Sequence, residues 1–249
     1  MNMRKHIVAL ILLVTIWQIL SNFHLVNPMF VPTPFETLEE GARLIAEKKI
    51  FIDIVYSFRR IFYGVLLAIL IGIPAGLVFG YYGRIYQYLE GVLDFFRSIP
   101  PILTFPLALL IFGTGDESRT AVIFYGCVTI LILNAALGVQ NSPKLRIKAA
   151  KMMGALWHQI FLRVVIFDAL PQIFAGIRVS LSMGVIVGIV TEMLVGVKYG
   201  LGSRAVYAQA SYNTPELFFI IILVGLLGLM INKLLILLEN RLIHWKCAL

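Results

Sequence analysis

"KAAKMMGALWHQIFLRVVIFDALP", residues 148–171, decides how this chain folds. Its first third is basic, it holds adjacent alanines, a glycine follows at Gly154, and it closes on Pro171. Lys144, Lys148 and Lys151 recur at i, i+4 and i+7 and share one helix face, whereas Leu145, Ala149, Met152 and Leu156 share another. Ser142-Pro143 just upstream has the form of a helix start: a hydroxyl can accept from first-turn amides, and proline tolerates the first helical position. Gly154 marks a break or a tight contact. A second amphipathic piece is expected from about Ala155 to Phe167, with Asp168 capping the next helix and Pro171 in its first turn. The stretch therefore reads as two short helices lying along a membrane face. Its lysines suit anionic lipid, but Ala149, Ala150 and Gly154 are poor lipid anchors and suit the close approach of another protein.

What flanks this stretch is apolar. Of 249 residues 60% are hydrophobic and 14% charged, with a mean hydropathy of +0.91. A soluble domain carries about 25% charged residues, so an all-α membrane protein is expected. Six apolar runs are candidate spans, at about 7–20, 58–82, 99–112, 121–139, 172–197 and 217–238, several of them reaching the ~20 residues that cross a bilayer. No small-x-small cleavage site follows the first run, which is expected to be a retained helix rather than a signal peptide. The long polar segment 21–56 contains "NPMFVPTPFETLEEGARLIAEKK", with Pro28, Pro32 and Pro34. Thr37 opens a T-x-x-E capping pattern, which predicts a short amphipathic helix over about Leu38–Lys48.

The net charge of +8 is explained by topology. With both termini cytoplasmic, twelve basic residues fall on inner segments and eight on outer ones, and the acids run the other way, four against eight. The excess positive charge thus lies on the inner face, as membrane proteins require, and implies no nucleic acid partner. Arg59 and Arg60 fit this pattern least, at the outer mouth of the second run.

Small residues repeat every fourth position in two runs: Gly64, Ala68, Gly72, Gly76 and Gly80 in the second, and Gly176, Ser180, Gly184 and Gly188 in the fifth. In lipid, helices associate through close backbone approach, which small residues allow. Gly64, Gly72, Gly76, Gly184 and Gly188 are therefore candidate packing positions. Polar groups within the runs that could line a translocation pathway are Thr104, Asn134, Arg178, Ser180, Ser182, Thr191 and Glu192. Intramembrane charges are functional candidates, although Arg178 and Glu192 lie near the ends of the fifth run, where each could reach an interface.

No G-x-x-x-x-G-K-[ST] phosphate loop, H-E-x-x-H or C-x-x-C is present. Cys127 and Cys247 are expected to be unpaired, and His6, His24, His158 and His244 are scattered. No metal site, bound cofactor or catalytic set is expected, so an intramembrane enzyme is disfavoured. An ion-coupled secondary transporter would want paired intramembrane acids, and only Glu192 is available.

At residues 148–178, "KAAKMMGALWHQIFLRVVIFDALPQIFAGIR" resembles the EAA loop of ABC-transporter permeases: E-A-A, three residues, glycine, then an apolar stretch ending in Leu-Pro. "FVPTPFETLEE", "SFRRIFYGVLLAILIGIPAGLVFGYY", "DFFRSIPPILTFPLALLIFGTG" and the run from Thr191 to Leu242 resemble the nitrate/sulfonate/taurine-type importer permeases. The resemblance spans about residues 30–245. It implies a single permease domain over 1–249 with the type I importer fold in the cell membrane. It further implies a second permease copy, as a homodimer or a heterodimer, a cytoplasmic pair of ATPase subunits that bind ATP and Mg, and an extracytoplasmic solute-binding protein. Segment 142–171 would then be the cytoplasmic coupling loop, with Lys148, Ala149, Ala150, Lys151, Gly154 and Ala155 at the ATPase interface. Lys148 stands where the family motif has glutamate, a reversal of charge.

Overall fold

The computed structural model describes residues 3–22, 29–194 and 197–243 and is helical throughout, with no strand among them. In chain order the helices are α1 (Met3–Asn22), α2 (Pro34–Ala46), α3 (Lys49–Tyr81), α4 (Gly83–Ser98), a 3₁₀ turn (Pro101–Thr104), α5 (Phe105–Phe112), α6 (Asp116–Gln140), α7 (Lys144–Met152), α8 (Trp157–Ile160), a π turn (Phe161–Val165), α9 (Ile166–Leu194), α10 (Leu201–Ala210) and α11 (Thr214–Leu242). His24, Pro28, His244, Lys246 and Cys247 lie outside the described residues.

The chain forms two compact units, one of residues 1–57 with 192–227 and one of residues 58–191 with 228–249. In the second unit α6 is the central element, and 61% of its apolar window is buried. The small-residue ridge of α3 lies against it. A Cβ placed on Gly64 would sit 2.6 Å from Ile123 Cγ2, and one on Gly80 would sit 2.6 Å from the Ala136 carbonyl oxygen. At Gly72 the nearest atom would be Leu131 Cβ at 3.0 Å, and at Gly76 Ala135 Cβ would be 2.7 Å away. Ala68, between them, is fully buried. The α9 ridge closes on the same core: Gly176 abuts Asn134, Gly184 abuts Val65, and Gly188 abuts Ile61, each with a hypothetical Cβ within 2.8 Å of its neighbour. At Gly76 and Gly80 the two backbones meet directly, and at Gly64, Gly176, Gly184 and Gly188 a neighbouring side chain seats on the glycine backbone, close approaches of the kind that hold helices together where lipid removes the hydrophobic drive.

The third apolar run is not a straight span. α4 and the Pro101–Phe112 segment meet at 83°. Ile99 and Pro100 are extended, at φ/ψ of −80/117° and −57/125°, because a residue followed by proline is excluded from the helical region. Pro100-Pro101 imposes that twice. Among the described residues four helices are long and apolar enough to cross a membrane, or five if this bent pair counts as one. In α1 the apolar part is the shorter Ile11–Asn22. The second apolar run extends further back than the sequence reading placed it, since α3 starts at Lys49.

Two predicted helix starts move. α2 begins four residues early because the capping box is Thr33 with Glu36, not Thr37 with Glu40. Thr33 Oγ1 accepts from the Glu36 amide, Glu36 Oε2 accepts from the Thr33 amide at 2.8 Å, and Pro34 takes the first helical position. Thr37 is buried inside the helix instead. Ser142 makes no cap hydrogen bond at α7; its hydroxyl oxygen is buried without a partner.

Gly76→Ala should lower the thermal midpoint of the detergent-solubilised protein, because overpacking a close contact costs about 1–3 kcal/mol. Gly91→Ala in α4, with open space around it, should be neutral or stabilising by about 1 kcal/mol. Equal midpoints for the two variants would show that the ridge is not tightly packed.

Candidate functional site

The stretch at 148–171 folds into α7, a glycine turn, α8 and the π turn, and from Trp157 the helix continues without interruption into α9 as far as Leu194. α7 ends in a Schellman motif: the Gly154 amide donates to the Lys151 carbonyl at 3.0 Å and the Ala155 amide to the Ala150 carbonyl at 3.1 Å. This arrangement places Gly154 at φ +77°, a left-handed conformation that only glycine adopts at little cost. Nothing lies within 4 Å of a hypothetical Cβ there, so Gly154 is a break rather than a tight contact within the chain.

One side of α7 is anchored. Ile147, Ala150 and Ala155 pack on a core cluster of Ala135, Val139, Ile160, Val165, Ala169 and Ile173. Asp168 does not cap a helix, since α9 is already running there; it is ion-paired with Arg146. Pro171 likewise lies inside α9 rather than in its first turn. The opposite side of α7 is open. Met152 and Met153 are 89% and 84% exposed, Leu145 is 79% exposed, and Lys148, Ala149 and Lys151 are exposed with them. A helix held on one face and showing adjacent methionines on the other has the character of a contact surface, because methionine adapts to irregular partners and exposed apolar patches mark interaction sites.

A second polar constellation lies in the unit of residues 1–57 and 192–227. The N-terminal amides of α10 are satisfied by side chains from other helices. Gly200 donates to Asp53 Oδ1 at 2.8 Å, Leu201 to Ser57 Oγ at 2.9 Å, and Gly202 to Glu192 Oε2 at 2.9 Å. Ser57 also donates to Glu192, at 2.8 Å. Asp53 and Ser57 stand four apart on one face of α3. A helix N-terminus is partly positive, which lets Asp53 and Glu192 be buried at 3% and 1% exposure. Arg204 then joins Asp53 to Glu216, and Asn213 donates to Glu216 and Glu40. Burial alone would lower the Arg204 pKa, but the hydrogen bonds and charges of Asp53 and Glu216 outweigh it and hold the guanidinium above its ordinary value. A cavity of about 190 Å³ opens beside them, lined also by Lys198, Tyr207 and Ser211.

The pathway candidates occupy separate local arrangements. Thr104 Oγ1 donates to the Pro101 carbonyl. Asn134 donates to the Ile130 carbonyl and accepts from Gln172. Arg178 is ion-paired with Glu239 of α11, whereas Glu192 is a buried cap and does not extend to an interface. Ser180 and Cys127 exchange hydrogen bonds with each other's carbonyls. Ser182 and Thr191 bond to the Arg178 and Gly188 carbonyls. Asp53, Ser57, Arg204 and Glu216 were absent from the sequence-derived candidates; their only local signal is the i, i+4 spacing of Asp53 and Ser57. Among the described residues no group of three His, Cys, Asp or Glu could hold a metal.

A helical multi-pass membrane protein with an anchored, outward-facing short helix between two apolar helices has the architecture of an importer permease. Residues 64–244 match the binding-protein-dependent transport system inner membrane component family, and the chain belongs to that family of ABC transporter permeases. A probable ABC transporter permease protein of Brucella abortus (strain 2308) is 31% identical over 216 residues, 87% of this chain and 86% of the relative. The taurine transport system permease protein TauC of Escherichia coli (strain K12) is 27% identical over 242 residues, 95% of this chain and 88% of the relative. The fold matches a solved structure of inward facing conformations of the MetNI methionine ABC transporter with a TM-score of 0.66 at 21% identity, over 78% of this chain and 94% of that one. This is the type I importer permease fold.

Glu192→Ala should destabilise the protein by about 1–3 kcal/mol, since it strands buried donors, while Glu192→Gln, which keeps an acceptor, should lose less. Thermal midpoints check this; wild-type values for both variants would contradict the capping role.

Proposed function

We propose that this chain is the membrane-spanning subunit of an ATP-driven importer for a small solute of the nitrate, sulfonate or taurine type, delivered by an extracytoplasmic binding protein. The observation that carries the proposal is α7: a short helix fixed to its own core through Ile147 and Ala150, yet presenting Leu145, Met152 and Met153 unburied. In this reading α7 is the coupling helix of a single permease domain, with both termini in the cytoplasm of a cell-membrane protein. Lys148, Ala149, Lys151 and Gly154 face a cytoplasmic ATPase subunit, and Ala150 and Ala155 support them from behind. ATP and Mg are bound by the ATPase pair and not by this chain. Two permease copies complete the pathway. The α11 helix, with only 6% of its apolar window buried, leaves a broad face for the bilayer.

The mechanism follows from rigidity. Closure of the ATPase pair on ATP moves α7, and the Schellman turn at Gly154 fixes the angle at which that displacement enters the continuous Trp157–Leu194 helix. A flexible connection would dissipate the displacement; a helical one transmits it. Lys148, a cation where the family motif has an acid, is matched by a carboxylate on the cognate ATPase.

Ala149→Arg should abolish copurification of the ATPase and vanadate-sensitive uptake while leaving the permease folded, and Lys148→Glu should reduce both about tenfold or more. Full ATPase recovery and uptake with Ala149→Arg would refute the docking surface, and unchanged coupling with Lys148→Glu would refute the charge pair. Gly154→Ala, which strains a left-handed position by about 1–2 kcal/mol, should lower coupled uptake more than it lowers ATPase recovery.

A further inference from the structure

Arg59 and Arg60 lie about three turns into α3, where the inner-face charge bias gives no reason for two cations. Both are ion-paired with Asp116 at the start of α6, Arg60 at 2.6 Å. Arg60 is buried at 4%, but Arg59 is 49% exposed. Arg59 opens a cleft of about 750 Å³ bounded by α3, α5 and α6, within the range of ~300–1,000 Å³ typical of small-molecule sites. On α3 the lining residues are Arg59, Tyr63, Leu67 and Ile71. They are spaced by four and form one ridge, inclined to the helix axis, that rises about 18 Å. On α6 the lining runs in the same order, from Asp116, Glu117 and Thr120 to Ala121 and Phe124. Both walls are therefore charged at one end and apolar along the rest.

We propose that this cleft is a binding site for a bilayer glycerophospholipid with a zwitterionic, ammonium-bearing headgroup. The phosphate lies on Arg59, the ammonium on the Glu117 carboxylate, and one acyl chain fills the stripe from Tyr63 to Ile71. A guanidinium carries five N–H donors, so Arg59 can hold Asp116 and still donate to a phosphate, and such charge-assisted bonds are the strong ones. The two arginines and two carboxylates at the mouth are together neutral, which complements a headgroup that is itself neutral but carries both signs. Beyond the hydroxyl-bearing Tyr63 and Thr120 the lining is Leu67, Ile71, Ala121, Phe124 and Phe112, with no polar side chain for an acyl chain to strand. A helix of a second copy fits worse. It would set apolar side chains against the Arg59–Asp116 pair at the mouth and leave the exposed Glu117 carboxylate without a cation.

The test is photolabelling of the full-length chain in native membranes with a phosphatidylethanolamine carrying a diazirine in its acyl chain, followed by peptide mapping. We expect labelling concentrated on the peptides holding Tyr63–Ile71 and Ala121–Phe124, above the level on the bilayer-exposed face of α11. Leu67→Trp, which fills the cleft from an exposed position, should reduce that labelling at least fivefold with α11 unchanged. Arg59→Gln should reduce it by a smaller factor. Labelling equal to that of α11 and insensitive to Leu67→Trp would show bulk lipid only and overturn the proposal. A stripe that stays unlabelled while α11 is labelled would show that another chain covers it, and would overturn it as well.

Discussion

The contact between the backbones of α3 and α6 is the constraint on which the larger unit depends. In water, side-chain burial would drive these helices together, but in lipid an apolar side chain gains nothing by leaving one hydrocarbon surroundings for another. What remains is dispersion, which falls steeply with distance. Glycine at four of the five ridge positions brings the Ile132 and Ala136 carbonyls within reach of the α3 backbone. The α9 ridge repeats the device on Asn134, Val65 and Ile61. With α6 gripped in this way, its end supplies Ala135 and Val139 to the cluster on which α7 is seated. The position of the exposed face of α7 is therefore a consequence of glycine spacing far from it in sequence.

The second constraint is the satisfaction of helix ends. Three amides at the start of α10 find acceptors on Asp53, Ser57 and Glu192, and none of the three acceptors belongs to α10. Buried carboxylates are costly unless they are paired or hydrogen-bonded; here each lies against the positive end of a helix. Glu192 thereby acquires a structural reason to be inside the membrane region that does not involve carrying solute. At the end of α7 a Schellman turn on Gly154 closes the helix and leaves its outer face uncovered.

The parts legible in the sequence are those in which the signal is local. Four-residue spacing marked the α3 and α9 ridges, but the lysine stripe and the Leu145, Ala149 and Met152 stripe of α7 are both exposed, and the anchored side is Ile147 and Ala150, which neither stripe contains. Pro100-Pro101 carries the information that the third apolar run breaks, and Pro34 that α2 starts after Thr33; in both cases the proline overrides the apolar or T-x-x-E pattern beside it. Asp168 read as a cap because Pro171 looked like a first-turn residue, whereas the helix tolerates that proline in its interior. The α10 cap was not legible because its acceptors lie more than a hundred positions apart, at residues 53 and 192, and no periodicity links them. The pairing of Arg178 with Glu239 was hidden for the same reason.

The central claim is that α7 takes its motion from ATP hydrolysis by a partner. Solute uptake into proteoliposomes containing the purified permease, its ATPase and the solute-loaded binding protein tests it most directly. Uptake that requires enclosed ATP and stops with vanadate is the predicted result. Uptake driven by an ion gradient with no ATP present would contradict it.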